Sequence, residues 1–338
     1  MRIGITGAGR IGAMHAANLS AIPGLDELIL HDPIADRADA VARQLSGATA
    51  GTSTVATYAE LLASVDGLVV ATPTTTHADL VLQAVAAGIP TLCEKPAADS
   101  ELRLRELVDA VERAGVEVLV GFQRRFDPPL VELRRQILAG QLGTVYHVRA
   151  LGQDHEPPEP GFIPTSGGMF RDLFIHDLDA VPWLMNEPVV EVYATGSVLV
   201  DAAFAACGDI DTAVILLRFA SGTLATLTGG RRDGLGYDHR IEVIGSRNAL
   251  VTGLDERTPL TSLQPSGQVS GPAAYRGFQE RFAVAYAAEV ATFCEVVAGR
   301  AVNPSPVRES LVSLALANAC ERSCAAGAPV HFPHGLAA

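Results

Sequence analysis

Cations are in short supply in this 338-residue chain: 25 Lys and Arg stand against 38 Asp and Glu, for a formal net charge of -13. Nucleic-acid backbones and anionic lipid surfaces are gripped by clustered basic side chains, so this balance excludes both as partners. Also missing is any apolar run of about eighteen residues, the length a membrane helix needs. The opening M-R-I-G-I-T-G reads as a strand and not as a leader peptide. Cysteine is sparse too. Cys93, Cys207, Cys294, Cys320 and Cys324 are odd in number and widely spread, without the spacing of a disulfide framework or a zinc site. They predict reduced, buried thiols in a cytoplasmic protein. What is present is a folding composition, 48% hydrophobic and 19% charged, over a length that supports two domains with their own cores.

The most informative stretch of the first half is G-A-G-R-I-G, Gly7 to Gly12, between a short apolar strand (residues 2–6) and a helix through Met14, Ala17 and Leu19. A second strand, L-I-L-H-D, ends in Asp32. Strand, tight turn, helix, strand and acid form the setting of a dinucleotide site. Gly7 permits the turn, Gly9 lets the pyrophosphate reach the backbone, and Gly12 lets the helix sit close to the sheet. Arg10 and Ile11 fall in the same loop, at a helix N-terminus whose free N–H groups suit phosphate. The Asp32 carboxylate suits the ribose hydroxyls and repels a 2′-phosphate, so NAD is expected over NADP.

Alternation of strand and helix continues to residue 122, which predicts an α/β Rossmann domain over 1–122. Ligands of such sheets bind beyond the carboxyl ends of the strands. Those ends carry Thr72, Pro73 and His77, then Glu94 and Lys95, then Gln123 and Arg124. A lysine in a loop is ordinarily a solvated one. Lys95 differs in directly following an apolar strand and preceding the stiff Pro96.

From residue 123 the pattern turns strand-rich, with runs at 145–151, 189–200, 212–219, 223–228 and 240–245 joined by turns such as A-S-G-T. Antiparallel hairpins are expected, making 123–338 a second, α+β domain built on one large, mostly antiparallel open sheet. Helices at 277–298 and 306–325 close the chain and can pack back on the first domain, and Pro265 to Ala274 is read as a mobile loop. Within 165–185, a Ser-Gly-Gly lead-in opens a helix on which Asp172 and His176 stand at i and i+4. A carboxylate one turn from an imidazole can orient an acid–base catalyst; the same spacing also serves an ordinary surface ion pair.

Taken together, G-A-G-R-I-G, A-T-P-T-T-T-H from Ala71, E-K-P from Glu94, G-F-Q-R-R-F-D from Gly121 and G-G-M-F-R-D-L-F-I-H-D from Gly167 resemble the glucose–fructose oxidoreductase/inositol dehydrogenase/MocA family. Within it the chain looks most like the inositol 2-dehydrogenases, through R-R-F-D, D-x-x-x-P and G-Y-D-x-R segments. The resemblance implies an NAD-dependent oxidoreductase that oxidises a secondary hydroxyl of a cyclitol, myo-inositol first. His176 would be the base, Asp172 its orienting partner and Lys95 the group that stabilises the reacting oxygen. It also implies a polyol or sugar substrate met by Arg124, Asp154, His155 and Tyr237, no metal, and a homodimer or homotetramer formed through the C-terminal sheet. Departures fall at Gln153 and His155, in the segment expected to touch substrate, and at Gln123. Another inositol isomer, an aminocyclitol or a hexose is the alternative substrate. A non-catalytic NAD sensor would have lost Lys95, Asp172 or His176, and a metal enzyme would use Asp154, His155, Asp172 and His176 as ligands.

Overall fold

The computed structural model describes residues 1–47, 50–267 and 273–336. Residues 268–272, inside the segment read as a mobile loop, lie outside the described residues. The chain begins with β1 (Arg2–Thr6), α1 (Arg10–Ser20), β2 (Glu27–His31), α2 (Ala35–Gln44), β3 (Gly51–Thr54), α3 (Tyr58–Leu62), β4 (Gly67–Val70), α4 (Thr74–Ala86), β5 (Thr91–Glu94), α5 (Glu101–Ala114) and β6 (Val118–Gly121). Then come α6 (Pro128–Leu138), β7 (Val145–Gln153), α7 (Met169–Asp172), α8 (Ile175–Met185), β8 (Val189–Ser197), α9 (Ala202–Ala206), β9 (Thr212–Phe219), β10 (Leu224–Gly230), β11 (Asp238–Gly245) and β12 (Ala249–Thr252). Helices α10 (Phe278–Arg281), α11 (Ala283–Val297) and α12 (Ser310–Ala326) and strand β13 (Val330–Leu336) complete the order. Among the described residues no helix is long and apolar enough to cross a membrane.

Two compact units result: Met1–Phe126 with Val284–Leu311, and Asp127–Ala283 with Val312–Ala338. In the first, six parallel strands run in the order β3-β2-β1-β4-β5-β6. Parallel strands covered by helices are buried on both faces, and β1, β4 and β6 carry almost unbroken apolar runs to match. Ile3, Ile5, Leu28, Leu30, Val69, Leu92 and Leu119 form a core with Val290 and Phe293 of α11.

The second unit holds a seven-stranded sheet, β12-β11-β7-β10-β9-β8-β13. All its pairs are antiparallel except β7 with β10, which run parallel. The hairpin reading holds for β9 and β10, but β10 then lies beside β7 in the same direction, a placement that local turn signals do not reveal. Along the strands buried and more exposed residues alternate, so one face is buried, and its side chains (Val148, Ala150, Val192, Ala194, Ile215, Leu217, Leu227, Ile241) pack with Phe174, Leu178 and Val181 of the α8 region.

That packing depends on glycine. Gly152 and Gly229 are neighbours in register, and a Cβ on Gly229 would meet the Phe174 ring at 2.8 Å and the Gly152 carbonyl at 2.9 Å. Only a bare backbone lets the start of α8 settle this low on the sheet. Gly229→Val is therefore expected to destabilise the protein by about 2–3 kcal/mol, the upper range for overpacking. Urea unfolding checks this, and a midpoint matching the wild type would show that the contact relaxes without cost.

Candidate active site

In the first unit the three loop glycines differ in what surrounds them. Gly7 has φ +94°, and a Cβ there would lie 2.6 Å from the Ala71 carbonyl. A Cβ on Gly12 would lie 1.8 Å from the Gly7 carbonyl, so the helix sits against the loop. Gly9, which precedes α1, has no atom within 4 Å of the same position, leaving the approach to its backbone open. No acidic residue occupies the first turn of α1, and Arg10 is exposed and Ile11 half-buried beside it. An anion meets unopposed N–H groups there. Asp32 is buried, and its two oxygens accept from the Ala8 and Ile34 N–H groups, each at 2.8 Å. The carboxylate is thus fixed to the glycine loop, and each oxygen keeps a second lone pair for a hydroxyl. These features fit a dinucleotide with two free ribose hydroxyls. Asp32→Ser should raise kcat/KM with NADP relative to NAD by about tenfold, the loss of one repulsion of ~1.4 kcal/mol; steady-state kinetics with both cofactors give the ratio, and an unchanged ratio removes Asp32 from the discrimination.

The strand-end residues divide into those that face outward and those that hold the loops. Thr72 and Pro73 lead into α4, where the Thr72 and Thr76 hydroxyls meet at 2.7 Å. His77 is buried, and its ring nitrogens lie 2.8 Å from the Pro96 and Thr72 carbonyls. It ties the loop after β4 to the one after β5. Glu94 accepts from the Lys95 N–H at 3.3 Å, and Lys95 itself is half-buried. Gln123 and Arg124 are buried in a short 3-10 turn, with the Gln123 side-chain carbonyl lacking a partner among the described residues.

In the second unit the helix carrying Asp172 and His176 is not continuous. Asp172 ends α7 and His176 falls in the first turn of α8. Between them the Phe174 N–H reaches back to the Met169 carbonyl at 3.1 Å, five residues away. This wide turn shifts the phase of His176 from the regular i,i+4 position. It arises where Leu173 and Phe174 are driven down onto the glycine floor of the sheet. Asp172 is engaged by a residue the sequence did not point to: Arg231 Nη2 donates to Asp172 Oδ2 at 2.9 Å, and Nη1 to Asp154 Oδ2 at 3.2 Å. Burial opposes the Arg231 charge, but the Asp172 and Asp154 carboxylates outweigh it and hold its pKa above the ordinary value.

Asp154 and Asp172 thus share one guanidinium, a cation supplied by the protein itself. His155 stands apart from them in its bonding, with Nδ1 at 2.9 Å from the Asp233 carbonyl and Nε2 accepting from Arg276 at 3.1 Å. Tyr237 is buried with its ring edge on Phe282, 6.5 Å between centroids. His155 is half-buried and Tyr237 buried. Behind His176 a buried pair braces the helix: His239 Nε2 lies 3.1 Å from Asp177 Oδ1.

Comparison with known proteins decides the family. Residues 1–122 match the family model described as "Oxidoreductase family, NAD-binding Rossmann fold", and residues 130–251 match "GFO/IDH/MocA C-terminal domain". The chain belongs to the Gfo/Idh/MocA oxidoreductase family. Among its relatives are the myo-inositol dehydrogenase Hyg17 of Streptomyces leeuwenhoekii, 39% identical over 97% of this chain and 98% of that one, and the inositol 2-dehydrogenase of Rhizobium meliloti, 36% identical over 96% and 97%. A crystal structure of a putative myo-inositol dehydrogenase from Sinorhizobium meliloti superposes with a TM-score of 0.89 at 34% identity, covering 98% of this chain and 99% of that one. As a member of the family, the chain is an NAD-dependent oxidoreductase. The E-K-P motif of the family holds a further signal in this member: Lys95 is the only lysine in the sequence, every other basic side chain among the 25 being arginine. Arginine and lysine are not interchangeable where a compact ammonium is needed.

Proposed function

We propose that the chain oxidises a secondary hydroxyl of a cyclitol, with myo-inositol the preferred substrate and NAD the acceptor. The observation that carries this reading is the joint presence of Lys95 after β5 and of Asp172 and His176 at the α7–α8 junction, in a chain similar end to end to relatives named for inositol oxidation. Bound NAD supplies the hydride acceptor. The Lys95 ammonium donates to the reacting oxygen and stabilises its negative charge. Neutral His176 takes the hydroxyl proton. Asp172, held by Arg231, orients the imidazole, and Asp154 and Arg124 offer polar contacts to the other hydroxyls. No metal is needed, because an ammonium and an imidazole handle the charge.

We propose further that it is a cytoplasmic protein that assembles as a homodimer or homotetramer through the C-terminal sheet. Its five cysteines are unpaired thiols, which suits a reducing compartment. Tyr193, Val214 and Val251 stand exposed on β8, β9 and β12, giving the sheet apolar material for a self-complementary contact. The deciding experiment is NAD reduction against a panel of inositol isomers, aminocyclitols and hexoses. An inositol should give the highest kcat/KM, and a hexose or aminocyclitol well ahead of every inositol would overturn the substrate assignment.

A further inference from the structure

Away from the residues assigned to the reaction, the first unit buries three ionisable side chains together. His15 of α1, Glu94 at the end of β5 and Glu289 of α11 each offer an atom within 4.8 Å of the others. His15 Nε2 lies 2.6 Å from Glu94 Oε1. Glu94 Oε2 accepts from the Lys95 N–H. Glu289 is fully buried, and among the described residues neither of its oxygens has a hydrogen-bond partner. Helix α11 around it is apolar, and Glu289 sits on its buried face among Ala285, Tyr286, Val290 and Phe293.

An ionised carboxylate with no donor in a dry pocket is costly, and a second carboxylate beside it raises the cost. Something must neutralise the pair. A divalent cation is one means, but the His15–Glu94 separation is that of a hydrogen bond, shorter than the roughly 3.3 Å between neighbouring ligands on a tetrahedral zinc ion. With its Nε2 hydrogen given to Glu94, His15 has no lone pair on that atom for a metal. We propose that His15, Glu94 and Glu289 form a buried proton site, in which Glu289 is a neutral acid whose hydroxyl faces the ionised Glu94, and His15 donates to the other side of that carboxylate. Burial first, and the Glu94 charge second, push the Glu289 pKa well above the ordinary carboxylate range. The groups facing Glu289 are His15 from α1 and Glu94, followed in the chain by Lys95, from β5; on its own helix Tyr286 sets its ring against His15 at 5.9 Å between centroids. The site fixes both oxygens of Glu94, and so the strand end that presents Lys95. That last consequence rests on the function proposed above; the proton site does not.

The test compares wild type with Glu289→Gln, a neutral copy of the proposed acid, without NAD or substrate. A carboxyl whose folded pKa is raised contributes stability at low pH that is lost as pH rises towards the folded value. Above the unfolded value of 4.5, the wild-type unfolding constant should therefore rise relative to that of the variant by about tenfold per pH unit. An infrared difference spectrum at neutral pH should show one protonated carboxyl band in wild type that the variant lacks. Glu289→Met provides a second neutral reference if the glutamine variant does not fold. Parallel stability curves together with no such band would overturn the proposal. So would one divalent metal per chain, found by elemental analysis, whose chelation lowers Tm. None of these readouts uses turnover, so a wrong substrate assignment leaves them intact.

Discussion

Lys95→Ala should lower kcat by about 10²–10³, the loss that follows removal of one charge-stabilising donor from a reacting oxygen. NAD affinity should stay within about threefold, because the contacts that fit the dinucleotide come from the glycine loop, Asp32 and the α1 N-terminus. Lys95→Arg should not restore the rate. The planar guanidinium cannot occupy the place of a compact ammonium, and a chain that uses arginine everywhere else already has that option. Fluorescence titration with NADH and single-turnover kinetics separate binding from chemistry. Fast residual turnover with weakened NAD binding would move Lys95 from the reacting oxygen to the cofactor.

His176→Ala should lower kcat/KM for alcohol oxidation by about 10²–10⁴, the usual contribution of a general base. The sign of the pH effect follows from the proton. Neutral imidazole accepts it during oxidation, so the rate climbs with pH through the imidazole ionisation. The reverse reduction needs imidazolium and climbs as pH falls. Both slopes should vanish in the variant. Asp172→Asn removes one of the two charges that Arg231 clasps and should slow both directions while keeping the slopes, since the base remains. A pH–rate profile in each direction checks all three proteins, and unaltered slopes in His176→Ala would assign the proton to another group.

The dinucleotide half was legible in the sequence because its determinants are local. Gly7, Gly9, Gly12 and Asp32 lie within one strand–helix–strand passage, and each acts through backbone shape or reach. Strands of the second half were visible as alternation; β7, expected at 145–151, runs from Val145 to Gln153. Partner and direction were not visible, because alternation fixes which face is buried and says nothing about the neighbour. The parallel pairing of β7 with β10 brings Asp154 and Arg231 to the same sheet end, and a hairpin reading could not place them there. The wide turn before His176 was hidden for a related reason: its Leu173 and Phe174 pack on Gly152 and Gly229, neighbours that are distant in sequence. Glu289 was a signal passed over. An acid on the apolar face of α11 conflicts with the helix pattern, and such conflicts collect at sites that do something.

The Arg231 clasp also sets an order of events in the making of the protein. Arg231 lies 59 positions after Asp172 and 77 after Asp154. A chain leaving the ribosome exposes both acids well before the base that joins them. Closing so long a loop is slow compared with forming the β9–β10 hairpin. The two carboxylates stay without this shared partner until β10 lies beside β7. The surroundings of Asp172 are thus completed late, as a consequence of the sheet being finished, and a chain arrested before β10 would carry Asp154 and Asp172 without the guanidinium that joins them.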